Sequence, residues 1–86
     1  MSNDKQTIFE VVKTNTLKVL PELSPADITM DKNLTDLGAN SVDRVEIALN
    51  SLEDLNLKIP IAELRGVGNL TSLVDLLHRY VASREA

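Results

Sequence analysis

Residues 37–55 read LGANSVDRVEIALNSLEDL, and the fold turns on where this run changes character. Up to Asn40 it has the composition of a turn, with Gly38 free to take backbone angles that other residues avoid. From Ser41 the apolar residues recur at helical spacing. Asn40 can accept a hydrogen bond from the first backbone N–H groups of such a helix, and Asp43 sits at its third position, where a negative charge suits the positive end of the helix dipole. The run therefore predicts a helix from Ser41 to about Leu55. Its apolar residues cover too much of the helical wheel for a one-faced helix. Val42, Val45, Leu49 and Leu52 form one stripe; Ile47, Ala48 and Leu55, with Ser51, form the other. Periodicity alone buries the bulkier first stripe.

Upstream, Ile8, Phe9, Val12, Val19 and Leu20, with Thr16 among them, fall on one side of a helix turning about 100° per residue. Asn3, with Gln6 three positions on, is the candidate cap, and Pro21 stops the helix near Leu20. Between Pro21 and Asn40 the periodicity is lost, and Leu23, Ile28, Leu34 and Leu37 are the residues that can pin so long a loop. Downstream, Ile59-Pro60-Ile61 marks a break followed by a short helical turn over Ile61 to Leu64, and Gly66 and Gly68 flank a second break. A last helix runs from about Thr71 to Ala82, with Leu73, Leu76, Leu77 and Tyr80 on one face and Val74 and Val81 beside them. The expected fold is all-α: a small four-helix bundle of three main helices and one short one, with a long loop between the first and second. No repeat or composition shift divides it, so residues 1–86 read as one domain.

Composition narrows the function. With 86 residues, 43% hydrophobic and only Phe9 and Tyr80 aromatic, the chain can build a compact core of Leu, Ile and Val. It has no cysteine, hence neither a disulfide framework nor a thiolate metal site. Its formal charge of -4, without a basic cluster, argues against nucleic acid as a partner. No apolar run approaches the ~20 residues of a membrane span and the amino terminus is polar. These features predict a cytoplasmic chain that meets neither membrane nor nucleic acid, and a monomer is expected.

Catalytic chemistry is hard to assemble. A nucleophilic serine needs a base within reach, and the one histidine, His78, reads as a helix-surface residue. Glu53 and Asp54 are adjacent, so on a helix they diverge, and they read as solvated charges. Asp31, Asn33 and Thr35 alternate as calcium ligands can, but Asp36 stands where that loop needs glycine and Val42 where it needs a bidentate acid. No metal site is expected. Ser41 remains as a possible substrate instead of a catalyst. At a helix N-terminus its hydroxyl faces backbone N–H groups and the positive dipole end, which tolerate a phosphate; spacing alone favours the plainer reading, an exposed first-turn serine.

The wider pattern separates these readings. The run ITMDKNLTDLGANSVDRVEI, followed by LKIP at residues 57–60, resembles the acyl carrier protein family, and the resemblance spans nearly the whole chain. In that family glycine, a variable residue, aspartate and serine before an aliphatic residue mark the attachment point of 4′-phosphopantetheine. Gly38, Ala39, Asn40, Ser41 and Val42 match it, so the resemblance implies that Ser41 carries the cofactor and that the chain is no enzyme. Asn40 departs from the usual aspartate: it keeps a cap and removes a charge that modifying enzymes meet. A narrower resemblance, carried by LGANSVDRVEI and LEDLNLKIP, is to free-standing donor carriers of polyketide β-branching cassettes. It implies as partners a phosphopantetheinyl transferase, an acyl-loading or decarboxylating enzyme, and a synthase resembling 3-hydroxy-3-methylglutaryl synthase that takes an acetyl unit. The resemblance to the carrier family as a whole also turns the second helix around. Ile47, Ala48, Ser51 and Leu55 face inward, and the stripe of Val42, Val45, Leu49 and Leu52, with Asn40, Asp43, Arg44 and Glu46, becomes the partner surface. Arg44 then selects the partner, unless it pairs with a loop acid such as Asp36. A general fatty acid carrier and a non-carrier helical adaptor with an inert Ser41 stand as the alternatives.

Overall fold

The computed structural model describes residues 4–64 and 69–85. Among them four α-helices follow in order: α1, Lys5–Val19; α2, Ser41–Leu55; α3, Ile61–Leu64; and α4, Leu70–Glu85. They build an all-α bundle measuring 37 × 27 × 20 Å, in which α1, α2 and α4 pack on one another and α3 is the short fourth element. The break expected around Gly66 and Gly68 lies outside the described residues.

Helix α1 starts one residue later than the sequence suggests. Asp4 is the cap, its carboxylate accepting from the Thr7 N–H at 2.9 Å, and Gln6 bonds forward to Glu10; Asn3, the expected cap, lies outside the described residues. The helix ends where its last turn meets Pro21, with the Leu20 N–H bonded to the Thr16 carbonyl. Ile8, Phe9, Val12, Thr16 and Leu20 are buried as the spacing requires, whereas Val19 is only half-buried. Thr16 can lie in the core because its hydroxyl donates to the Val12 carbonyl at 2.8 Å, so no polar atom is stranded.

A polar pin missing from the apolar pattern joins α1 to α2. Asn15 is 1% exposed. Its amide nitrogen reaches the Val11 carbonyl, the Ser51 hydroxyl and the Asp54 carboxylate, the last at 2.9 Å, while Ser51 donates to the Ile47 carbonyl. Asp54, expected as a merely solvated charge, is thus the outer end of a hydrogen-bonded chain into the helix interface.

The 21–40 loop is held down at intervals. Ile28 and Leu34 are each 2% exposed, with Leu23 and Leu37 packed against the core, as expected. A single 3₁₀ turn at Pro25–Asp27 closes on Ser24, whose N–H and hydroxyl both donate to the Asp27 carboxylate. These bonds hold that carboxyl below its ordinary range, and the Thr29 hydroxyl does the same for Asp31. Farther on, the loop is stitched to the start of α4. Thr71 donates to the Met30 carbonyl, Leu70 N–H to that of Lys32, and Asn33 bridges Asn69.

Helix α4 is longer than its apolar pattern at both ends. Asn69 Oδ1 accepts from the Ser72 N–H at 2.7 Å, which lets the helix begin at Leu70. Its last turn is kept by a contact with no hydrophobic signature: Arg84 donates to the carbonyls of Leu55 and Asn56 at 2.7 and 3.0 Å. Those carbonyls end α2, where Asn56 takes the left-handed conformation at φ 55°, so the arginine satisfies acceptors that a helix terminus leaves open. Tyr80 donates to the Glu63 carboxylate, tying α3 to α4 and raising the phenol above its ordinary pKa.

Candidate cofactor attachment site and partner surface

The site is built at the start of α2. Residues 33–39 wind into a turn in which the Gly38 N–H meets the Thr35 carbonyl and the Ala39 N–H meets that of Leu34, both at 3.0 Å. Gly38 adopts φ 104°, a left-handed conformation that L side chains rarely take. The turn buries Ala39, 4% exposed, and delivers Asn40 in the extended conformation required of a cap. Asn40 Oδ1 then accepts from the Asp43 N–H at 2.8 Å, and the Asp43 carboxylate accepts from the Asn40 N–H at 3.2 Å. This reciprocal capping box shows that asparagine performs the helix-starting part of the aspartate's work without its charge. Ser41, the first residue of α2, is left exposed.

Beside Ser41 opens a groove of about 660 Å³. One wall is α2, through Ser41, Val42, Arg44, Val45 and Leu49; the other is made by Leu34 of the loop, Leu64 of α3 and Leu73 of α4. The groove is a tertiary feature: Leu64 and Leu73 are distant in sequence from Ser41, and only the α3 turn after Pro60 brings Leu64 across.

The two stripes of α2 separate as expected, with one exception. Ile47, Ala48, Ser51 and Leu55 are buried. Val42 and Leu49 are 70% and 41% exposed, Val45 is half-buried, and Asn40 and Glu46 are exposed, with Asp43 and Arg44 half-buried. Leu52 departs from its stripe: at 6% exposed it belongs to the core, with an edge on a second hollow lined by Leu49, Leu57 and Ile59. The turn that follows α2 folds back over it, Leu57 N–H bonding to the Leu52 carbonyl at 2.9 Å. The exposed stripe thus shortens to Val42, Val45 and Leu49; Ile61 of α3, 47% exposed, is a further exposed apolar residue that the sequence pattern did not single out.

Arg44 does not pair with a loop acid. Asp36 accepts from Asn33, and the ion pair found among the described residues is Lys5–Asp75 at 2.9 Å. The Arg44 Nε is buried and without a hydrogen-bond partner.

An exposed serine at a capped helix N-terminus, with an adjoining groove, suits the attachment of a carried group. No group of three potential ligands gathers for a metal among the described residues, and no helix there is long and apolar enough to cross a membrane. The chain belongs to the acyl carrier protein family: the family model described as a phosphopantetheine attachment site matches residues 11–77. Such a protein is a carrier and not a catalyst, and its cofactor is covalent 4′-phosphopantetheine. Among its relatives, the chain is 51% identical over 80 residues to the polyketide biosynthesis acyl-carrier-protein AcpK of Bacillus subtilis (strain 168), covering 93% of this chain and 98% of the relative. It is 35% identical over 81 residues to an acyl carrier protein of Guillardia theta, covering 93% and 99%.

Proposed function

We propose that Ser41 bears the 4′-phosphopantetheine arm and that the chain presents an acetyl thioester to a 3-hydroxy-3-methylglutaryl synthase-like enzyme in polyketide β-branching. The observation that carries the attachment reading is the exposed Ser41 that opens α2 and lines the groove. Ser51 is buried and hydrogen-bonded within α2, and Ser24 is engaged with Asp27. A phosphopantetheinyl transferase would join Ser41 Oγ to the β-phosphorus of coenzyme A, breaking its pyrophosphate bond. The serine proton passes to the transferase, and adenosine bisphosphate leaves. Once attached, the arm supplies a thiol for thioester formation in a chain that has no cysteine.

The residues of this chain position that arm and offer a surface. The capping box and Gly38 turn fix the direction of the tether, while Val42, Val45 and Leu49 give an apolar centre of the kind that supplies affinity. Asp43, Arg44 and Glu46 form a charged surround that sets encounter and register. The polyketide setting is supported by the half-identical Bacillus relative. The β-branching role rests on the likeness of residues 37–47 and 52–60 to donor carriers, and a separate acyl-loading or decarboxylating enzyme would supply the acetyl group. The chain would work in the cytoplasm as a monomeric single domain.

Intact-mass measurement with coenzyme A and a promiscuous transferase tests the attachment. One phosphopantetheinyl gain in the wild type and none in Ser41→Ala is expected; a full gain in the mutant refutes it. For the donor role, acetyl loss is followed with synthase and a β-ketoacyl recipient carrier, beside a fatty acid carrier bearing the same acetyl group. Equal donation by both, unchanged in Arg44→Glu, would leave the general carrier reading.

A further inference from the structure

We infer that Arg44 is the anion-holding group of the groove and binds an oxyanion of the loaded arm, either the phosphodiester on Ser41 or a carboxylate on the cargo. This deepens the proposed function and rests on attachment at Ser41.

Four features of Arg44 call for an anion. It stands in the first turn of a 15-residue helix, the end at which a positive charge is disfavoured by the dipole. Its acidic neighbours do not neutralise it: no ion pair to Asp43, Glu46 or Asp36 is formed among the described residues. Asp43 is turned back to the Asn40 N–H and Asp36 bonds Asn33, while Glu46, an exposed residue that also lines the groove, makes no ion pair to Arg44. Its Nε is buried without a partner, an arrangement that costs free energy until an acceptor arrives. Finally, Arg44 and Ser41 line the same groove at i and i+3, positions whose side chains are neighbours, with Cβ atoms about 5–6 Å apart on a helix.

A phosphodiester formed on Ser41 Oγ comes within reach of a guanidinium one turn below. Arginine's planar fork can give such an oxyanion two parallel charge-assisted hydrogen bonds. That bond would lay the arm along the groove between Val45 and Leu64 instead of leaving it free in solvent. A carboxylate-bearing cargo folded back into the groove offers the same chemistry from its other end. Arg44 would then act as selector by holding the arm as well as by meeting a partner.

Nuclear magnetic resonance of the Arg44 Nε–H, identified by its loss in Arg44→Gln, tests this in four forms of the full chain: apo, holo, acetyl-loaded and malonyl-loaded. Each loaded form is made by a transferase from the matching coenzyme A thioester and checked by mass for one modification, on Ser41. The expected result is a downfield move and slowed solvent exchange of the Nε–H on going from apo to holo, with the ³¹P resonance of the holo protein displaced in Arg44→Gln. A change confined to the malonyl form supports the carboxylate as the anion. An Nε–H unchanged in every loaded form, with ³¹P insensitive to Arg44→Gln, overturns the inference while leaving attachment intact. Modification elsewhere than Ser41 overturns both, and the mass data separate the two failures. Should Arg44→Gln lose its helical circular dichroism, Arg44→Lys, which keeps the charge and removes the fork, serves for the ³¹P comparison.

Discussion

The division of α2 into an inner and an outer face can be tested by truncating one residue at a time. Ile47 is fully buried, Leu52 is 6% exposed, Leu49 41% and Val42 70%. Replacing a buried Ile or Leu with Ala costs about 2–5 kcal/mol, the spread reflecting how far the site collapses. With Ile47 at 0% exposed, Ile47→Ala should cost about 3–4 kcal/mol, and Leu52→Ala about 2.5–3 kcal/mol. Full burial of a leucine is worth about 1.5–3 kcal/mol. Leu49 keeps two-fifths of its surface in solvent and borders an open groove that water can fill, which brings Leu49→Ala to about 1 kcal/mol. Val42→Ala should cost less than about 0.5 kcal/mol. A domain of this size loses roughly 4–8 °C of melting temperature per kcal/mol, so Ile47→Ala should melt on the order of 15 °C lower and Leu49→Ala about 5 °C lower. Urea unfolding followed by far-ultraviolet circular dichroism gives the free energies, and the m-value checks that the unfolded state is unchanged. Equal losses from Ile47→Ala and Leu49→Ala would refute the two-faced reading of α2. A Leu52→Ala loss as small as that of Val42→Ala would return Leu52 to the outer stripe.

Three further outcomes follow from the hydrogen bonds. Asn40→Ala should lose about 1 kcal/mol by removing the α2 cap, whereas Asn40→Asp should keep its stability; equal urea midpoints for all three proteins would show that the capping box contributes nothing. Asn15→Ala leaves the Ser51 hydroxyl with one partner fewer and opens a void beside Asp54, and should cost about 2 kcal/mol; a change under about 0.5 kcal/mol in urea unfolding would contradict the pin. Melting temperature against pH should fall at both extremes. Asp27 and Asp31 have depressed pKa values in the folded state, so their contribution is present above the unfolded carboxylate value of about 4 and fades as pH drops below it. The Tyr80 phenol is raised, so its contribution is complete below its unfolded value of about 10 and is lost as pH climbs through the higher folded value. Asp27→Asn should flatten the acid limb and Tyr80→Phe the alkaline one, and limbs unaltered by either substitution would refute the assignment.

The sequence by itself determined the elements whose cause is local. The start of α2 was legible because its cap, Asn40, and its third-position acid, Asp43, lie within four residues and bond to each other. Pro21 ended α1, and the i, i+3, i+4, i+7 spacing of Leu73, Leu76, Leu77 and Tyr80 marked α4. The likeness of residues 37–47 to a carrier motif picked out Ser41 among the serines, since its setting is a turn and a helix start. What tertiary structure decided are the features whose partners lie far along the chain. Asn15 carries no apolar signal, and it is buried because Ser51 and Asp54 accept its hydrogens from across an interface. The last turn of α4 persists because Arg84 finds the open carbonyls at the end of α2, which no pattern within α4 announces. Leu52 looked like its neighbours Val45 and Leu49 on the helical wheel; the chain folds back on it through Leu57, while Val45 stays half-buried and Leu49 exposed. The groove beside Ser41 likewise exists only once α3 and α4 bring Leu64 and Leu73 opposite α2. Periodicity assigns a residue to a side of its own helix, but burial depends on what packs against that side, and here that was set by segments from five to 39 residues away.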